Sequence, residues 1–141
     1  MRGPVERRFS ALAVADPTSV RALAERVLET AGEVEVLRGP TAATMLVELT
    51  ESVQHQRFYL GEVVVSEASV SVDGCRGDGV VIGRDLERAL AVAVCDAAAD
   101  AGVLADEVAA LVEESEAAAA ASRQEQADTV ASTRVSFEVI G

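Results

Sequence analysis

The chain contains no lysine and no tryptophan; all twelve basic residues are arginines, and the aromatic side chains are three Phe and one Tyr. Without lysine there is neither a Schiff-base amine nor the lysine of a phosphate-binding P-loop. A genome rich in G and C is the simplest cause of this Arg and Ala bias. With so few aromatics, the core must be built from Ala, Val and Leu, which bury little volume per residue and leave room for a partner surface. The single histidine, His55, lies in a polar loop, where histidine is usually just solvated, and no second one exists for a histidine-based zinc site. The two cysteines, Cys75 and Cys95, stand twenty apart without a CxxC pair. A disulfide between them stays open on spacing, although a cytoplasmic chain rarely keeps one. Cys95 reads as a small core residue and Cys75 as a partly exposed turn thiol. No apolar run approaches the roughly 20 residues that cross a bilayer. Met1 to Arg8 carries charge but no following apolar segment of a signal peptide, so a cytoplasmic protein is expected. There is no GxSxG to support a serine nucleophile.

What is present is acid. Twenty-four Asp and Glu against twelve Arg give a net charge of −12. That charge repels phosphate backbones and anionic lipid, which argues against nucleic acid and membrane surfaces as partners. At 141 residues, half of them hydrophobic, the chain is expected to form one domain. Residues 1–103 read as a compact α/β core, and 104–141 as a helix plus a β-like tail.

The stretch Phe58 to Asp96 organises the rest. It reads as a long strand, a glycine-dense turn, a short strand and a capped helix that packs back on the strands. Alternation is clean from Ala68 to Asp73, whereas Val63, Val64 and Val65 fill both faces, as in a central strand covered on both sides. An unbroken strand from Phe58 to Val72 exceeds the usual length, so a bend or bulge is expected near Glu67 and Ala68. Asp73 to Gly79 reads as the tight return, with Val80 to Ile82 pairing back. Asp85 can cap the next helix, Glu87 suits its dipole, and Leu86, Leu90, Val94 and Ala97 make its inward stripe. Gly102 ends it.

Before this stretch, Val5 to Val14 has helical spacing. Asp16-Pro17 then starts a second, amphipathic helix to Ala31, with Gly32 as its stop. Glu33 to Arg38 and Ala43 to Thr50 alternate as two strands around a Gly39-Pro40 turn. After it, Leu104 to about Ser122 reads as a helix with an apolar start, an acidic face (Glu113, Glu114, Glu116) and five alanines, Ala117 to Ala121. Those alanines favour helix but bury little, so they either project or pack against another chain. The alternating tail from Arg134 to Ile140 is either an arm or a strand returning to its own sheet. The predicted class is α+β: a mostly antiparallel sheet packed by helices, with a C-terminal helix and extended tail.

Chemistry is thinly represented. Glu62 interrupts an apolar strand, which suits solvent or an interface better than catalysis. Gly74-x-x-Gly77-x-Gly79 is a hairpin turn rather than a phosphate loop, since it lacks lysine and does not lead from strand to helix. Arg84 and Asp85, at a strand-to-helix junction, can bind an anion or form surface ion pairs of little worth. This inventory points to an interaction subunit.

The order of motifs resembles the PhnG family, a subunit of the bacterial carbon–phosphorus lyase system for phosphonate breakdown. The resemblance runs through the Arg-rich helix Arg7 to Ala15, the Pro40 turn with its following strand, and Phe58-Tyr59-Leu60-Gly61-Glu62-Val63. It continues through Gly77-x-Gly79-Val80-Val81-Ile82-Gly83-Arg84-Asp85, the Ala93 to Ala97 helix and the tail Arg134-Val135-x-Phe137. Departures fall at Glu67 and Ser71, where the family carries basic residues, and at Glu87-Arg88-Ala89, where it carries a His-Ala-Glu step.

The resemblance implies a small subunit of a complex with PhnH, PhnI, PhnJ and PhnL family proteins. In that system a phosphonate replaces the adenine of ATP to give a ribose 1-phosphonate 5-triphosphate. The nucleosidase-like activity belongs to PhnI, and radical C–P cleavage to the iron–sulfur protein PhnJ. ATP and the iron–sulfur cluster are thus expected on partners, with no cofactor, metal or catalytic residue in this chain. Candidate interface or anion contacts are Arg57, Phe58, Gly61, Glu62, Arg84, Asp85, Arg134 and Phe137. The competing readings are a homo-oligomeric ligand-binding or regulatory protein and an independent enzyme using Glu62, His55 or Cys75.

Overall fold

Asp16 starts a helix as its position before Pro17 predicts, accepting the Ser19 N–H at 3.1 Å. The structure, a computed structural model, describes residues 4–51, 57–129 and 135–140, with side chains over 7–46 and 61–124. Its elements are α1 (Pro4–Ala13), α2 (Pro17–Thr30), β1 (Val34–Glu51), β2 (Arg57–Val72), β3 (Cys75–Ile82), α3 (Leu86–Ala101), α4 (Ala105–Thr129) and β4 (Val135–Ile140). The strands form one antiparallel sheet in the order β3-β2-β1-β4. The fold is therefore α+β, with the tail strand paired to the outer end of β1.

Several local expectations change. The two strands around Gly39-Pro40 are one, β1, because both halves pair with β2. Gly39-Pro40 is a bulge with a cis peptide bond, not a turn. Gly39 has φ 73, and a Cβ there would lie 2.8 Å from the Glu67 carbonyl oxygen, so glycine is required twice over. The irregularity expected near Glu67 and Ala68 is therefore present, but its extra residues belong to β1. Two register shifts, Val36/Arg38 and Arg38/Thr41, bracket this bulge, and a third falls between Val47 and Glu48, opposite Gly61 and Tyr59.

The β2–β3 connection is only Asp73-Gly74, both at positive φ, which is the two-residue hairpin geometry. Cys75 to Gly79 thus belongs to β3 rather than to the turn. Asp73 also reaches across: its Oδ1 accepts the Glu33 N–H at 2.7 Å, and its own N–H donates to the Glu33 carbonyl at 2.7 Å. Gly32 is not the left-handed helix stop; α2 ends on Ala31 in extended conformation, and Gly32 makes room for the Asp73 carboxylate.

The core lies between the sheet and the helices. It takes Ala68, Val70 and Val72 from β2, Val81 from β3, and apolar side chains of all four helices. α3 is its axis: Ala89 and every residue from Ala91 to Ala98 are buried. Leu86, expected on its inward stripe, is 39% exposed. The face against β3 is made of alanine instead. A Cβ on Gly77 would fall 2.2 Å from Ala97 N and 2.4 Å from Ala93 O, and one on Gly79 2.3 Å from Ala89 O. Glycine on the strand and alanine every fourth residue on the helix bring the two backbones into direct contact. Gly102, at φ 75, ends α3, and the Val103 N–H returns to the Ala98 carbonyl at 3.0 Å.

β3 is an edge strand, and its outward Asp78 N–H is covered by the buried Asp96 carboxylate at 2.9 Å. Arg8 of α1 holds the other Asp96 oxygen at 2.7 Å and reaches Asp100 at 3.1 Å. Burial works against the Arg8 charge, but these two hydrogen-bonded carboxylates outweigh it and hold its pKa above the ordinary value.

One part of the sheet stands outside this packing. Among the described side chains from Glu35 to Glu67, Val65 alone is a buried hydrophobic, and it lies outside the main core cluster. Val63 to Val65 is accordingly not covered on both sides: Val65 is buried, Val63 half-buried and Val64 37% exposed. The physical reason is that this run lies past the start of α3, where Gly83 N–H bonds the Val64 carbonyl at 2.7 Å and the chain leaves the sheet.

Candidate functional site

The strand-to-helix junction at Gly83-Arg84-Asp85 is held from below by Ser66, a fully buried residue of β2. Its Oγ donates to the Gly83 carbonyl at 2.8 Å and accepts the Asp85 N–H at 2.9 Å. Gly83 sits at φ 96, which an L side chain rarely adopts, and lets the chain turn. Asp85 then caps α3, its Oδ1 accepting the Arg88 N–H at 3.1 Å. The carboxylate therefore occupies the positive end of the helix where an external anion would sit. Arg88 turns inward and donates to the Ala13 carbonyl, tying the junction to the end of α1. Arg84 is exposed and makes no ion pair with Asp85.

The remaining candidates fall on the outer sheet. Glu62 is exposed and stands opposite Leu46, itself 43% exposed. Gly61, at φ 143, has open space around it beside the register shift at Val47 and Glu48. Arg57 and Phe58 are placed by backbone register, opposite Thr50 and Leu49. Phe137 of β4 is also opposite Leu49, so Phe58 and Phe137 flank one β1 position in a single cross-strand row. Arg134 and His55 lie outside the described residues. The structure thus separates the candidates into an outer-sheet set (Arg57, Phe58, Gly61, Glu62, Phe137) and a junction set (Arg84, Asp85). Ser66 carries no local signal in the sequence; a buried serine beneath Gly-Arg-Asp is seen only once the strands are paired.

The chemistry available is modest. Burial, helped by the Asp96 charge, pushes the Cys95 thiol up to about 12, so it is no nucleophile near neutral pH. Both cysteines are free, Cys75 half-buried. Among the described residues no group of three His, Cys, Asp or Glu could hold a metal, and no helix is long and apolar enough to cross a membrane. A shallow groove of about 300 Å³ between α1 and α4 is floored by Val14, Leu111, Ala118 and Ala119, with Asp16 and Glu114 at its rim. Of its two serines, Ser115 is spoken for, its Oγ donating to the Ala11 carbonyl at 2.7 Å. The alanine run of α4 contributes Ala118 and Ala119 to this groove, and Ala117, Ala118, Ala120 and Ala121 are exposed.

The family model described as "Phosphonate metabolism protein PhnG" matches residues 5–141. No curated protein matches the chain.

Proposed function

Because the chain belongs to the PhnG family, part of the phosphonate carbon–phosphorus lyase system, we propose that it is an accessory, non-catalytic subunit of the complex that makes ribose 1-methylphosphonate 5-triphosphate from ATP and a phosphonate. The complex is a transferase acting in the cytoplasm, with PhnI, PhnH, PhnJ and PhnL family proteins as partners. ATP and the iron–sulfur cluster are held by those partners. The isolated chain has no turnover.

The observation that carries this reading is the outer sheet. Met45, Leu46, Val63, Val64 and Val65 all stand outside the main core cluster, and of them only Val65 is buried. Leu46, Val64, Ile82 and Leu86 are exposed. Large apolar side chains clustered outside a core mark a surface that another protein covers. The capped, carboxylate-filled end of α3 and the inert Cys95 thiol agree with a scaffolding role.

Size-exclusion chromatography with light scattering tests this, using the chain alone and mixed with the PhnI-family protein of its own organism. A stable heteromer is expected. A homo-oligomer indifferent to that protein would refute the subunit reading and favour a self-assembling binding or regulatory protein.

A further inference from the structure

Resting on the subunit reading, we propose that the surface around Arg84 is where a partner subunit docks, and that the partner contributes a carboxylate set among apolar side chains. The chain is strongly acidic, and its arginines are almost all used internally. Of the nine with described side chains, six hold carboxylates of the same chain, among them Arg8 on Asp96 and Arg38 on Glu67. Arg88 holds a backbone carbonyl. Arg84 and Arg123 alone have no ion pair or hydrogen bond among the described residues. Arg123 lies on α4 between Ser122 and Gln124, without large apolar neighbours in sequence. Arg84 is different: it is flanked two residues away on each side by Ile82, 71% exposed, and Leu86, 39% exposed. Ile82 pairs with Val65, so it lies on the other sheet face from Val64, and the apolar neighbours offered to Arg84 are Ile82 and Leu86.

An unpaired guanidinium in a chain with twice as many acids as bases is a group left for something outside the chain. Its apolar surroundings exclude water when covered, which strengthens a forked guanidinium–carboxylate contact. Apolar anchors around one Arg are the composition of an interface hot spot. A phosphate ligand fits less well. The end of α3 is already filled by the Asp85 carboxylate, and the exposed side chains two residues to either side, Ile82 and Leu86, are apolar. Ser66 and the Asp85 cap hold the junction rigid, so Arg84 is presented without ordering the backbone on binding.

The test uses the full chain and the purified PhnI-, PhnH- and PhnJ-family proteins of its organism, with dissociation constants from isothermal titration calorimetry. Arg84→Glu is expected to weaken the heteromer about 100-fold, as for a desolvated charge contact, with Arg84→Lys intermediate and Arg123→Glu unchanged. Circular dichroism of all variants should match the parent, since both arginines are exposed. Rescue of Arg84→Glu by an acid-to-arginine change on the partner would identify the carboxylate. Parental affinity in Arg84→Glu, or equal weakening in Arg123→Glu, would overturn the proposal while leaving the subunit reading intact. Arg84-dependent binding of inorganic phosphate or ATP to the chain alone would also overturn it. Failure of the parental chain to bind any of these proteins would instead defeat the subunit reading, and this inference with it.

Discussion

Gly77 is the position where one methyl group should do the most damage. Its added Cβ would lie 2.2 Å from Ala97 N, 2.4 Å from Ala93 O and 2.6 Å from the Ala97 Cβ. The first two atoms are backbone at the two ends of one turn of α3, so no rotamer change relieves them. α3 must move off β3 by roughly 1 Å, at which a packed contact forfeits about a quarter to a half of its dispersion energy. Overpacking usually costs about 1–3 kcal/mol and occasionally more. With two rigid contacts below 2.5 Å we expect about 3–4 kcal/mol. The smaller entropy of the unfolded alanine variant returns less than about 1 kcal/mol. Against a typical stability of about 5–15 kcal/mol this is a large fraction. Urea unfolding of Gly77→Ala, followed by circular dichroism, gives the number. Adding Ala97→Gly removes only the Cβ contact and should not rescue it. A Gly77→Ala variant within about 1 kcal/mol of the parent, or restored by Ala97→Gly, would refute the close backbone packing of α3 on β3.

Two further outcomes follow from the buried polar groups. Ser66→Ala leaves the Asp85 N–H and the Gly83 carbonyl without their partner, and should lose about 2–3 kcal/mol in the same unfolding assay. Cys95 gives a pH dependence: its folded pKa of about 12 lies above the ordinary 9.0, so the buried thiol contributes stability below pH 9 that is lost as pH rises through 12. The loss should reach up to about 4 kcal/mol at the alkaline end. Cys95→Ala should flatten this limb of the stability profile, and a profile unchanged by the substitution would contradict the burial.

Much of the frame was legible because it is local. Asp16, Asp85 and Gly102 mark helix ends through side-chain oxygens and a glycine conformation that act within a few residues. The α+β class and the pairing of β2 with β3 follow from alternation and a short turn. What was not legible depends on contacts distant in sequence. Gly39-Pro40 has the composition of a turn, and only the shared partner strand makes it a bulge. Gly77 and Gly79 look like turn residues until α3 is laid against them. Leu86 lies on the apolar stripe of its helix but falls beyond the strands that would cover it. Of the site, the exposed Glu62 and the capping Asp85 were readable, whereas the support from Ser66 was not.

The attachment of α1 also has a consequence for the order of assembly during synthesis. Arg8 is 88 residues ahead of Asp96 and 92 ahead of Asp100, and Arg7 is 109 ahead of Glu116. The first helix leaves the ribosome before any group that anchors it exists. It can take its place only after α3 and the first half of α4 have emerged. Until then the outer edge of β3 lacks the strap that α1 lays along it. A newly made chain therefore passes through a stage in which β1, β2 and β3 are paired but the outer border of β3 is still open, and α1, made before these strands, is fastened after them.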